Sequence, residues 1–200
     1  VDARLRELLE ELHRAGAEHD RDEPDRLQRL RNLEPESASV LALLVRAAGA
    51  RRVLELGTSN GYSTVWVADA LGDGDARLLS VDVDRERSDL AARNLERAGL
   101  ADAVELRVED AASTLRGAAD ASWEAIFLDA ERSAYVDYWP ELARVLRPGG
   151  LLVVDNVLSH AEEVRDFRAV VEADPRVSAE AVLPTGAGLL LIVLGSRGER

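Results

Sequence analysis

Two hundred residues, 46% hydrophobic and 32% charged, suit one soluble domain with a sizeable core. A formal net charge of -13 argues against nucleic acid and anionic membrane surfaces as partners. Without Cys the chain builds no disulfide framework or thiolate zinc site, and its 25 basic side chains are all Arg, which cannot act as a general base.

Residues 2–22 read as a helix, with Leu5, Leu8, Leu9 and Leu12 on one face as a stripe able to cover the domain or a second subunit. The stretch from His19 to Pro24 ends it, and a short second helix is expected over 25–31. Another helix opens at Glu34-Pro35-Glu36-Ser37 and runs to Gly49. A strand at 52–56 leads through a glycine turn into a helix at 63–71. A strand at 77–82, a helix at 85–98 stopped by Gly99, a strand at 104–108 and a short helix near 111–118 follow. Next come a strand at 125–129, a helix at 135–146 closed by Pro148-Gly149-Gly150, a strand at 151–154 and a helix at 160–173. Residues 177–183 and 189–194 read as a closing β-hairpin. This alternation predicts a doubly wound, Rossmann-like α/β fold: a mostly parallel seven-stranded sheet with helices on both faces and an antiparallel C-terminal edge hairpin. No apolar run reaches transmembrane length and no signal peptide precedes the fold, so a cytoplasmic protein is expected.

The most informative stretch is Val53-Leu54-Glu55-Leu56-Gly57-Thr58-Ser59-Asn60-Gly61-Tyr62-Ser63-Thr64. It reads as a buried strand, a glycine turn and a helix start, where unpaired backbone N–H groups await a ligand. One βαβ unit later the strand 77–82 ends in Asp82, placed to accept hydrogen bonds from a ribose. The middle glycine of the dinucleotide pattern G-x-G-x-x-G is missing, which speaks against a nucleotide-linked oxidoreductase. Glu55 just before the turn disfavours a pyrophosphate and suits a cofactor bearing positive charge. S-adenosylmethionine has both a sulfonium and an ammonium. Ligands in such sheets bind beyond the carboxyl ends of the strands, where Glu55, Gly57, Asp82, Asp110, Asp129, Asp155 and Asn156 all fall. Asp129, Asp155 and Asn156 make a hard oxygen set suited to Mg²⁺ or Ca²⁺, although Asp and Asn at strand ends also serve as turn formers.

The run 125–132 with Tyr135, the run Leu146-Arg147-Pro148-Gly149-Gly150 through Asp155-Asn156-Val157-Leu158, the run 50–64 and the tail 183–189 together resemble the cation-dependent catechol and caffeoyl-CoA O-methyltransferases. The resemblance covers roughly residues 34–194. It implies an S-adenosylmethionine-dependent O-methyltransferase that acts on a small catechol-like acceptor. The whole chain would be one such domain, with residues 1–48 as a helical cap or interface segment and 49–195 as the catalytic core. Family members are commonly dimers, so a homodimer is implied. Asp129, Asp155 and Asn156 would hold the cation. Glu55, Gly57, Gly61 and Ser63 would line the methionine end of the cofactor, Asp82 would bind the ribose, and Asp110 and Ala111 would flank the adenine. Thr58, Ser59, Tyr62, Val83 and Asp129 complete the implied cofactor contacts. Where the family often carries a Lys three residues after the first metal Asp, this chain has Arg132, which can stabilise a phenolate but cannot take a proton. His160 is the only histidine near the strand tips and is the candidate base. The stretch after Asn156 is short, and Ala187 stands between glycines where an acid is common. A metal-independent S-adenosylmethionine-dependent methyltransferase acting on another small acceptor is the competing reading; a binding module without turnover is a third.

Overall fold

A computed structural model describes residues 1–25, 28–72 and 74–195 of the chain. The N-terminal part forms α1 (Ala3–Asp22) and α2 (Pro35–Ala47). Alternating elements follow: β1 (Arg52–Leu56), α3 (Tyr62–Leu71), β2 (Arg77–Asp82), α4 (Arg85–Ala98), β3 (Val104–Val108), α5 (Ala111–Gly117) and β4 (Trp123–Leu128). The chain closes with α6 (Tyr135–Val145), β5 (Leu146–Val154), α7 (Arg165–Glu172), β6 (Val177–Leu183) and β7 (Leu189–Leu194).

The apolar runs of β1, β4 and β5 dictate where these strands lie. Val53, Leu54, Ile126, Phe127, Val153 and Val154 are all within 1% of full burial, as strands covered on both faces require. The sheet order is β3-β2-β1-β4-β5-β7-β6. The first five strands run parallel, while β7 pairs antiparallel with β5 and with the edge strand β6. Side chains of α1 to α4 fill the core on one face, and those of α5 to α7 fill the other. The doubly wound sheet with its antiparallel C-terminal edge is therefore present as expected.

The Leu5–Leu12 stripe of α1 is consumed by this chain's own core: the four leucines are 2–9% exposed and cluster with Val65 and Leu95. Among the described residues no helix is long and apolar enough to cross a membrane.

Three expected boundaries differ. The described residues of 25–31 form no helix, and residues 26–27 of that expectation lie outside the described ones. The Leu30 and Arg31 amides bind the Asp20 carboxylate at 2.6 and 2.7 Å instead of a carbonyl one turn back. Pro148-Gly149-Gly150 does not close a helix but lies inside β5, where a register shift opposite Trp123 and Ala125 absorbs it. The helix expected from 160 starts only at Arg165. The Val157, Leu158 and Ser159 amides are committed to the carbonyls of Gly188 and Ala187, which holds this segment in turns.

Candidate active site

The strand ladder continues one residue past the strand ends and so fixes the floor of a site. The Gly57 amide donates to the Val81 carbonyl at 2.9 Å, Asp129 to Leu56 at 2.9 Å, and Asp155 to Leu128 at 3.2 Å. Gly57 has φ +108, and a Cβ there would fall on the backbone of Asp129, 2.8 Å from its carbonyl carbon. Glycine is thus required for β1 and β4 to end this close together.

The turn between β1 and α3 is organised from below and from the side. Glu55 is fully buried beneath it. Its carboxyl accepts hydrogen bonds from Ser63, Thr64 and Ser80, each at 2.6 Å, and Ser80 contacts Thr58 at 2.7 Å. Burial pushes the Glu55 carboxyl up to about 7 against the opposing effect of those hydroxyls. Glu55 therefore orients Ser63 directly, and Thr58 through Ser80, without lining the cavity itself. At the tip of β2, Asp82 accepts the amides of Ser59 at 2.8 Å and Asp84 at 3.0 Å.

Above this floor lies a cavity of about 390 Å³, within the size range of small-molecule sites. Thr58, Ser59, Tyr62, Ser63 and Asp82 line one side, and Asp129, Arg132, Asp155, Asn156 and His160 the other. Gly57 also reaches it, whereas Gly61 lies beneath as the N-cap of α3. Val83 is exposed on the outside, and Asp110 caps α5 by accepting the Ser113 amide at 3.0 Å, with Ala111 buried behind it. None of these three lines the cavity. Tyr135 does not face it either: it is fully buried, donates to the Ala130 carbonyl at 3.2 Å and packs edge-on against Phe167.

The acidic corner is the chemically loaded part. Asp155 is 3% exposed, and its Oδ1 is buried without a hydrogen-bond partner among the described residues. Asn156 adopts a left-handed φ of +66, and its Nδ2 donates to Asp155 Oδ2 at 2.7 Å and Asp129 Oδ1 at 3.3 Å. Burial raises both carboxyls above the usual range, and for Asp155 the charge of Asp129 adds to it. Arg132, 6% exposed, partly offsets both and donates from Nε to Glu163 at 2.8 Å. The His160 ring contacts Ser159 Oγ through Nδ1 at 2.8 Å.

Sequence reasoning missed the roof. Residues 28–34 cross the cavity as an irregular strap, and Arg29, Leu30, Arg31, Asn32, Leu33 and Glu34 line it. Four bonds join side chains outside the strap to the strap's backbone. Asp20 accepts the Leu30 and Arg31 amides, Ser59 Oγ donates to the Leu30 carbonyl at 2.7 Å, and Arg87 Nη2 donates to the Arg29 carbonyl at 3.2 Å. Against the cost of partial burial, the two amides and His19 hold the Asp20 carboxyl below its usual pKa. Asp20→Ala removes two of the four bonds and is expected to lower the local opening free energy by about 1–2 kcal/mol. Trypsin should then cut after Arg29 and Arg31 roughly tenfold faster than in the wild type. Equal cutting rates would show that Asp20 does not hold the roof.

A sequence profile of the family described as O-methyltransferase matches residues 1–194. The chain is 35% identical over 170 residues to the catechol O-methyltransferase of Niastella koreensis, covering 78% of this chain and 76% of that one. It is 30% identical over 179 residues to caffeoyl-CoA O-methyltransferase 2 of Petunia hybrida, covering 78% and 73%. The fold superposes with a TM-score of 0.80 and 28% identity on an O-methyltransferase from Bacillus cereus solved in complex with SAH, covering 94% of this chain and 90% of that one.

Proposed function

The chain belongs to the O-methyltransferase family, whose members are S-adenosylmethionine-dependent enzymes, and we propose that it methylates a hydroxyl of a small catechol-like acceptor with the help of a divalent cation held by Asp129, Asp155 and Asn156. The observation that carries the cation reading is the buried, partnerless Oδ1 of Asp155 beside a second raised carboxyl. Such a pair is costly unless a positive charge joins it. Among the described residues no three His, Cys, Asp or Glu side chains gather as a metal site, so the reading rests on two carboxylates and one amide. Turning the Asn156 amide end for end would present its carbonyl oxygen to the same pair. A cation bound there supplies charge that lowers the pKa of an acceptor hydroxyl.

The remaining roles fall to the chain itself. The whole chain acts as one unit in this reading, with residues 1–48 supplying the roof and 49–195 the catalytic core. Gly57 admits the cofactor close to the backbone, and Ser63 and Thr58 offer hydroxyls whose directions Glu55 and Ser80 set. Asp82 keeps lone pairs for the ribose beyond the two amides it accepts. The Arg132 guanidinium favours negative charge on the acceptor oxygen. His160, in the cavity wall, is the residue we assign to take the proton away. A homodimer, if formed, would use a face other than the Leu5–Leu12 stripe, which the core already covers.

A metal-independent methyltransferase is the second reading. The Asn156 amide favours it, because its Nδ2 already hydrogen-bonds both carboxylates. The two separate in one assay: transfer of labelled methyl from S-adenosylmethionine to catechol, with Mg²⁺ and with a chelator. Product that requires Mg²⁺ supports the cation; equal rates with the chelator make the metal-independent reading the better one. A pH–rate profile unchanged in His160→Asn would remove His160 from the proton-accepting role.

A further inference from the structure

Among the described residues four arginines line the cavity, and three of them are already committed to the fold. Arg29 Nε donates to the Glu23 carbonyl, Arg87 braces the strap and Asp84, and Arg132 is paired with Glu163. Arg31 differs. Among the described residues its guanidinium makes no hydrogen bond or ion pair, in a chain where acids outnumber arginines 38 to 25. It sits close enough to Asp129 to draw that carboxyl's pKa downward.

Its backbone is fixed as well. Arg31 has φ +48, a left-handed conformation that is strained for a residue other than glycine. The Asp20 carboxylate holds it there through the Leu30 and Arg31 amides. A strained, clamped residue with an unspent charge over a cavity is a candidate for contact with a ligand.

The rest of the wall says what kind of ligand. Its apolar side chains are few, chiefly Leu30, Leu33 and Ala130, and Tyr62 and His160 provide its only rings among the described residues. Stacking and apolar burial therefore have little purchase on an acceptor, and charge must orient it. Asp129, Asp155 and Glu34 would repel an acidic acceptor unless a cation answered them.

We propose that Arg31 sets acceptor specificity by receiving a carboxylate carried on the hydroxyl-bearing acceptor, so that the natural substrate is a hydroxylated acid. The planar guanidinium pairs with a carboxylate through two parallel N–H···O bonds, which fixes both distance and orientation. The proposal takes the location of the acceptor site from the methyl-transfer reading, but the anion contact itself does not depend on turnover.

The test is equilibrium binding of 3,4-dihydroxybenzoate and of catechol to the full chain saturated with S-adenosylhomocysteine in the presence of Mg²⁺. The readout is the ratio of the two dissociation constants. The variants are Arg31→Asn, which tolerates the left-handed backbone, and Arg31→Lys, which keeps the charge but not the fork. Wild type should favour the acid roughly ten- to hundredfold, Arg31→Asn should erase the preference, and Arg31→Lys should restore part of it. No preference in the wild type, or an unchanged ratio in Arg31→Asn, overturns the proposal. So does an unchanged ratio with weakened S-adenosylhomocysteine binding, because Arg31 would then serve the cofactor's own carboxylate. If the acid binds through Arg31 but is never methylated, the anion site stands and the catechol-like reading of the acceptor falls.

Discussion

Gly57→Ala is expected to destabilise the protein by roughly 3 kcal/mol or more and to abolish cofactor binding. Two costs add. The left-handed φ of +108 strains any residue with a Cβ, and that Cβ would meet backbone rather than a yielding side chain. Asp129 cannot retreat, because its amide is bonded to the Leu56 carbonyl. Gly49→Ala is the matched control: it also has a left-handed φ, +61, but no atom lies within 4 Å of the place its Cβ would occupy. It should cost about 1 kcal/mol. Urea unfolding of both variants, alongside S-adenosylhomocysteine titration, measures the difference. A Gly57→Ala cost no larger than that of Gly49→Ala would mean that β1 and β4 do not approach so closely.

Asp155→Asn is expected to flatten the pH dependence of stability and to remove the response to Mg²⁺. In the metal-free protein, burial holds the Asp129 and Asp155 carboxyls above their usual range. The folded state thus keeps protons that the unfolded chain releases. That stability is fully present below the usual carboxylate pKa, near 4, and is lost as pH rises through the folded values. The Tm should therefore fall between about pH 5 and pH 8 without metal, and Mg²⁺ should restore it most strongly at the upper end. Asp155→Asn leaves one carboxylate in place of a repelling pair. The metal-free variant should be about 1–3 kcal/mol more stable than wild type near pH 8, insensitive to Mg²⁺, and at least about a hundredfold slower in methyl transfer. Glu55, whose carboxyl stands at about 7, leaves a residual slope of the same sign. Asp174, held at about 2 chiefly by its hydrogen bond to Arg176, acts in the opposite sense and only in acid. An Asp155→Asn protein that Mg²⁺ stabilises as strongly as wild type would place the cation elsewhere.

Most of the sheet was legible because its signals are local. The apolar runs of β1, β4 and β5 are short and bounded, and Gly57 and Gly61 mark a turn with positive φ values at both ends. Convergence of Asp82, Asp129, Asp155 and Asn156 on one edge follows from parallel strands alone. What escaped was governed by partners distant in sequence. The strap 28–34 carries no periodic pattern, and its shape comes from Asp20, Ser59 and Arg87. The turns after Asn156 owe their form to carbonyls some thirty residues later. Glu55 was legible as an acid beside the turn, but not as an acid whose charge three hydroxyls already occupy.

The two walls of the cavity differ in how they can change. The floor residues Gly57, Asp129 and Asp155 are rungs of the sheet itself, so their positions carry the stiffness of the core. Shifting any one of them means slipping a strand, and a slip of one residue turns every buried side chain of that strand outward. The roof hangs on a few bonds from side chains to one mostly half-buried segment without regular structure, and it can be rewritten without touching a strand. Descendants of this fold should therefore diverge in what they accept through residues 28–34, while the place where the methyl group changes hands stays where the sheet puts it.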